Sequence, residues 1–141
     1  MAGNGTPIFA RVAKIGLGQC TAAVTAADLT SASLIFTADA TNGSVVNEVR
    51  VKYLPGTTFA AATAFRLWVN NNGTLSTTTN NSLITEITVA IITTSQVAAT
   101  TDYVIPMPRG GLLLPPAYRL YATIGTYSAG TLLVSAYGGD F

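Results

Sequence analysis

Polar and apolar residues alternate with period two along most of this chain, the spacing of strands buried on one face and wet on the other. Val45–Tyr53 carries the pattern furthest. Val45, Val49, Val51 and Tyr53 share one face, and Glu48, Arg50 and Lys52 share the other. Leu54-Pro55-Gly56 ends the run, because proline cannot donate to a ladder and glycine permits the turn. Ala64–Val69 sets Phe65, Leu67 and Val69 against Arg66 and Trp68, and Asn70-Asn71-Asn72-Gly73 stops it with an Asn-Gly turn signal. After a Thr/Asn-rich loop at 74–81, Leu83–Ile92 places Leu83, Thr85, Ile87, Val89 and Ile91 on one face. Ile84, Glu86, Thr88 and Ile92 fall on the other. Shorter strands are expected at Thr101–Pro106 and in the middle of the 110–116 loop. Ala117–Ile124 and Gly130–Tyr137 read as a hairpin around Gly125-Thr126-Tyr127-Ser128. Gln19–Ala26 and Ala32–Ala38 are weaker strands, and the Ala- and Thr-rich stretch 22–32 also admits a short helix.

About eight short strands separated by turn signals predict an all-β fold: a single-domain antiparallel β-sandwich, jelly-roll-like. The sandwich is expected over residues 19–141, with residues 1–18 as an extended N-terminal arm. No repeat of 20–50 residues or so is present.

Composition narrows the function. The chain has 141 residues, 49% hydrophobic and only 9% charged, where about 25% charged is usual. Its surface must therefore be largely Thr, Ser and Asn, and much of it is expected to be covered by other subunits. A net charge of +1 gives no basic excess for nucleic acid. With no His, the imidazole base, the imidazole metal ligand and the usual triad are all missing. One Cys, Cys20, allows no internal disulfide and no thiolate cluster for zinc; it reads as a small buried hydrophobe. The first eighteen residues lack the apolar run of a signal peptide, and no run is long enough for a spanning helix. A cytoplasmic origin, no membrane partner and no cofactor are the expectations.

Individual residues offer few sites. Arg66 and Glu86 fall opposite each other if their strands form a hairpin about residue 76, which predicts a structural cross-strand ion pair. Asp102 and Asp140 are a weak carboxylate pair; Asp140 is expected to cap a turn at Gly138-Gly139. Gly3-Asn4-Gly5 and Gly16-Leu17-Gly18 lack the context of a phosphate loop. Of four Asn-X-Ser/Thr matches, at Asn4, Asn42, Asn72 and Asn80, three are Asn-Gly and read as turns. Tyr118 is expected to point inward, and Tyr121, Tyr137 and Phe141 outward or into a subunit seam. Ile8, Phe9, Arg11 and Lys14 of the arm are expected to reach onto a neighbouring subunit.

Several segments together resemble a group of small virion proteins of tailed bacteriophages and prophages. They are Arg66-Leu67-Trp68, the mid-strand Glu86, Leu114-Pro115-Pro116-Ala117-Tyr118-Arg119-Leu120 and the terminal Gly138-Gly139-Asp140-Phe141. The resemblance covers Val45 to Phe141. Ala117 departs from the glycine expected in the group's Pro-Pro-Gly-Tyr turn. The resemblance implies a structural role and no catalytic residues. The leading expectation is a capsid decoration (cement) protein on the capsid surface. Its partners would be itself, as a trimer or other homo-oligomer, and the phage major capsid protein. A tail, neck or fibre component, a carbohydrate-binding module stacking sugars on Tyr121 or Tyr137, and a cell-wall hydrolase using Glu86 are the competing readings.

Overall fold

A computed structural model describes Ala10, residues 12–24 and residues 26–141. Within them the chain forms eleven strands: β1 (Val12–Cys20), β2 (Ser33–Thr37), β3 (Ser44–Tyr53), β4 (Thr58–Phe59), β5 (Thr63–Asn70), β6 (Asn81–Val89), β7 (Ile92–Thr93), β8 (Asp102–Ile105), β9 (Leu112–Leu114), β10 (Arg119–Ile124) and β11 (Leu132–Asp140). The only helical element among the described residues is a 3-10 turn at Thr78–Asn80. One sheet runs β1-β11-β3-β8, with β9 also on β3; the second runs β2-β10-β5-β6; β4 and β7 form a small third pair. Every ladder between the described strands is antiparallel, with one isolated parallel bridge between Ala23 and Ile124. The fold is an all-β sandwich, as the alternation predicts. Its pairs are nested: β1 with β11, β2 with β10, β3 with β8 and β9, and β5 with β6.

The core lies between the two large sheets. Val46, Val49, Val51, Leu132, Val134 and Ala136 of the first sheet pack with Ile35, Phe36, Phe65, Leu67, Leu120, Ala122 and Ile124 of the second. Three bulges set which residues reach it. In β2 the partners of Leu120 and Tyr121 are Phe36 and Leu34, so Ile35 is the extra residue and both Ile35 and Phe36 are buried. In β3 Asn47 is extra, which turns Val46 inward in place of the expected Val45. In β6 Ile84 is extra, so Ile84, Ile87 and Val89 meet the core while Leu83 lies exposed. Each bulge inserts one unpaired residue and reverses the in–out pattern beyond it, which uninterrupted period-two counting does not register.

Two expected connections differ. β10 and β11 form as strands but are not a hairpin, since β10 pairs within the second sheet and β11 within the first. The link between them is held by the Thr126 N–H on Thr63 Oγ1 (2.9 Å) and Thr126 Oγ1 on the Ala62 carbonyl (2.7 Å). The expected arm also changes character, because residues 12–18 form most of β1, paired with β11 throughout. Glycine makes this possible. A Cβ on Gly16 would overlap the Ile35 carbonyl oxygen, and one on Gly138 the Val45 carbonyl oxygen. The backbone of β1 therefore sits directly on that of β2 at the edge of the sandwich.

Between β1 and β2 the chain contains no helix among its described residues. The Val24 N–H bonds the Ile124 carbonyl at one end of the second sheet. The Leu29 N–H bonds the Leu75 carbonyl, and Ala27 accepts from Asn81 Nδ2, at the other end. The segment therefore crosses the outer face of that sheet, burying Leu29 completely and leaving Tyr121 only 4% exposed.

The turn before β10 carries a strained residue. Ala117 has φ +64°, a left-handed conformation that costs an L-residue about 1 kcal/mol or more. This is the position where the resemblance calls for glycine. Ala117→Gly is expected to raise stability by up to about 1 kcal/mol, measured as a higher urea midpoint at unchanged m-value.

Candidate functional site

The surface that stands out is the outer face of the β1-β11-β3-β8 sheet. Strand register arranges it in four cross-strand rows. They are Ala13–Gly139–Val45–Leu113, Ile15–Tyr137–Glu48, Leu17–Ser135–Arg50–Val104 and Gln19–Leu133–Lys52–Asp102. Its β1 border is apolar: Ile15 is 62% and Leu17 73% exposed, with Tyr137 beside Ile15 at 38%. Val104 and Leu113 are exposed at the opposite border.

Between these borders lies a charged strip whose charges are mutually satisfied. Arg50 Nε pairs with Glu48 Oε1, Arg50 Nη1 lies 3.1 Å from Asp102 Oδ2, and Lys52 Nζ lies 3.5 Å from the same oxygen. The bond from Glu48 holds the Arg50 guanidinium above its ordinary pKa. Two cations and two anions cancel, so this face offers neither a basic nor an acidic field.

All six Asp and Glu side chains are engaged in structure. Asp140 accepts from Lys14 Nζ at 3.1 Å and from Ser44 Oγ inside the β11 ladder, rather than capping a turn as expected. Glu86 Oε2 lies 3.0 Å from Arg66 Nε across the β5–β6 ladder, directly opposite as the sequence predicts. Glu48 and Asp102 belong to the strip above. Asp28 caps Thr30, and Asp39 caps Thr41 and Asn42; these bonds hold both carboxyls below the usual range, the Thr30 hydroxyl leading for Asp28 and the Asn42 N–H for Asp39. Asp102 and Asp140 sit opposite Lys52 and Ser44 of β3, eight residues and about 26 Å apart. Among the described residues no three Asp, Glu, Cys or His side chains gather where they could hold a metal ion.

The other predicted contact residues divide. Tyr137 lies on the exposed face as expected, and Phe141 is half-buried with its N–H on the Gly43 carbonyl (3.2 Å). Tyr121 is corrected: at 4% exposed it is buried and has no open ring face on which to stack a ligand. Lys14 is corrected too. Its Nζ turns inward to the Thr37 carbonyl (2.6 Å) and Asp140, 5.1 Å from the centre of the Phe36 ring. Ile8, Phe9 and Arg11 lie outside the described residues. Sequence reasoning missed Leu17, Leu113 and Val104. For Leu17 a signal existed: Gly16 and Gly18 alternate with Ile15 and Leu17, the pattern of a strand whose inner face is pressed against backbone.

Comparison of the chain with protein-family models, with curated proteins and with solved structures finds no match. The family expectation accordingly rests on the motifs within the chain itself.

Two measurements check this account. The Arg66–Glu86 pair is partly exposed, with Glu86 at 54%, so Glu86→Gln is expected to cost under about 1 kcal/mol in chemical denaturation. A double-mutant cycle with Arg66→Gln isolates the pair. The Cys20 thiol is pushed up to about 12 by burial. It is expected to resist alkylation at pH 8 until the protein is unfolded. In the unfolded chain it ionises near pH 9 instead. The native state then retains a proton that the unfolded state has lost, and the contribution of Cys20 to stability falls as pH rises from about 9 towards 12.

Proposed function

We propose that this chain is a structural subunit of a tailed-bacteriophage particle, a capsid decoration protein that self-associates and binds over seams between major capsid proteins. The observation that carries the reading is the outer face of the first sheet, where large apolar side chains stand exposed around charges already neutralised by one another. Such a face gains little from water and much from contact. The nested order β1-β11-β3-β8 over β2-β10-β5-β6 supports the jelly-roll form of the sandwich, an architecture used in viral capsids. The phage-like motifs between Arg66 and Phe141 support the same reading.

The mechanism is adhesion. Burying about 1,000 Å² or more at each seam yields a stable contact. A subunit held at several seams at once gains avidity over any single contact. Neutral, pre-paired charges such as Arg50 with Glu48 and Asp102 need no new partner when the face is covered, which limits the desolvation cost. The protein would be made in the host cytoplasm and act on the head surface.

Cryo-EM of purified particles from a phage encoding this chain tests the proposal. The expected result is density for the sandwich repeated across the head at copy numbers set by the capsid lattice. A single ring at one vertex would move the protein to the neck or tail and overturn the decoration role. Absence from the particle would overturn the virion reading altogether.

A further inference from the structure

Among the described strands the border strand β1 ends the first sheet with one side unpaired; β2 lies beneath it and Ser33 Oγ takes the Gln19 N–H, but its outward residues carry no charge, proline or bulge. Natural edge strands are blunted by outward Lys, by proline or by bulges. β1 has no proline, pairs with β11 without a register shift, and faces outward with Ala13, Ile15, Leu17 and Gln19. Its one charge, Lys14, is tied inward to Asp140 and the Thr37 carbonyl. A nine-residue edge whose outward side chains are uncharged, with Ile15 and Leu17 exposed at its centre, is the form of a strand that another strand covers.

We propose that β1 is the self-association site of this protein, pairing antiparallel with β1 of a second copy about a two-fold axis through Gly16. This deepens the self-associating subunit proposed above and in that respect rests on it. The backbone fixes which registers are open. The Gln19 N–H points away from β11 and donates to Ser33 Oγ at 3.0 Å, so the odd-numbered residues present their N–H and carbonyl groups to the free edge. A two-fold pair must match odd residues with odd residues. Centring it on Gly16, the midpoint of β1, gives the full nine-residue overlap; centring it on Ile15 or Leu17 shortens the overlap.

The Gly16 register also fits the side chains. Ile15 falls opposite the second copy's Leu17 and Leu17 opposite its Ile15, so the two most exposed residues of the border bury each other twice. Ala13 meets Gln19, Lys14 meets Gly18, and no like charges oppose each other. Gly16 meets Gly16 at the axis, where side chains would crowd. The Gln19 N–H exchanges Ser33 Oγ for the second copy's Ala13 carbonyl. Full overlap supplies about eight main-chain hydrogen bonds, within the range of a typical specific interface. The rows carrying Tyr137 and Ser135 then continue across the axis, joining two outer faces into one broad surface.

Mixing single-cysteine chains tests both the surface and the register. An equal mixture of Ile15→Cys and Leu17→Cys chains, oxidised under mild conditions, is expected to give predominantly mixed disulfide dimers. Residues directly opposite lie about 5.5 Å apart between Cα atoms, within disulfide reach. Either chain alone is expected to cross-link at least tenfold more slowly, its two cysteines being displaced along the strands. Cys20 is buried and does not interfere. The unmodified full chain is expected to sediment as a dimer, and Leu17→Lys to raise the dissociation midpoint at least tenfold while leaving the circular dichroism unchanged. A monomer or a trimer for the unmodified chain, or equal cross-linking by each single variant, would overturn the proposal. A dimer absent from phage particles would overturn the decoration reading alone; a monomer on the head would overturn the two-fold pair alone.

Discussion

Closure of the sandwich depends on one contact, the pairing of the first described strand with the last. β1 and β11 run antiparallel over nine residues, and inside this ladder the other strands nest as successive pairs. The contact requires glycine at two points. Gly16 lets β1 lie against the Ile35 carbonyl, and Gly138 lets β11 lie against that of Val45. Without that close approach β1 would stand off the second sheet and expose Ile35 and Phe36. The pairing joins segments more than a hundred residues apart, so its loop entropy is met only after much of the core has formed.

The same closure explains the division of labour between the sheet faces. The second sheet has a covered exterior, because the chain between β1 and β2 is drawn across it and anchored at Ile124, Leu75 and Asn81. The first sheet has no such cover among the described residues. Its exterior is left to water with Ile15, Leu17, Val104 and Leu113 exposed. One molecule thus treats comparable surfaces in two ways, and the untreated one is the face whose strand edge is also open.

Much of this was legible in the sequence. Alternation located β3, β5 and β8 nearly to the residue, and counting back from a turn near residue 76 placed Arg66 against Glu86. What it could not deliver follows from physics at a distance. A bulge at Ile35, Asn47 or Ile84 is fixed by the neighbouring strand, so a single strand read alone keeps the wrong face beyond it. The partners of β10 and β11 lie in different sheets, and the Gly-rich turn between them is equally compatible with a hairpin. Lys14 looked like a contact residue because residues 1–18 read as an arm reaching onto a neighbouring subunit, whereas Lys14 lies inside β1. Its partner Asp140 is 126 residues away, beyond any local pattern. Tyr121 looked exposed because alternation describes one sheet and says nothing of a segment laid over it.

The distribution of charge connects the fold to the proposed role. In a chain this poor in ionisable groups each Asp and Glu side chain can be followed, and all six are committed: two cap turns, two hold neighbouring cations in the outer strip, one joins β5 to β6, and one ties β1 to the end of β11. The groups this fold leaves unsatisfied are of another kind. They are methyl and aromatic surfaces turned to water and a strand edge with open hydrogen-bonding groups. Exposed apolar area and an unpaired ladder carry a cost of their own, in solubility and in the risk of disordered aggregation. That cost would be removed by a partner that covers both together, and in the proposed two-fold pair β1, which carries the exposed Ile15 and Leu17 on the open edge, is where a second copy does so.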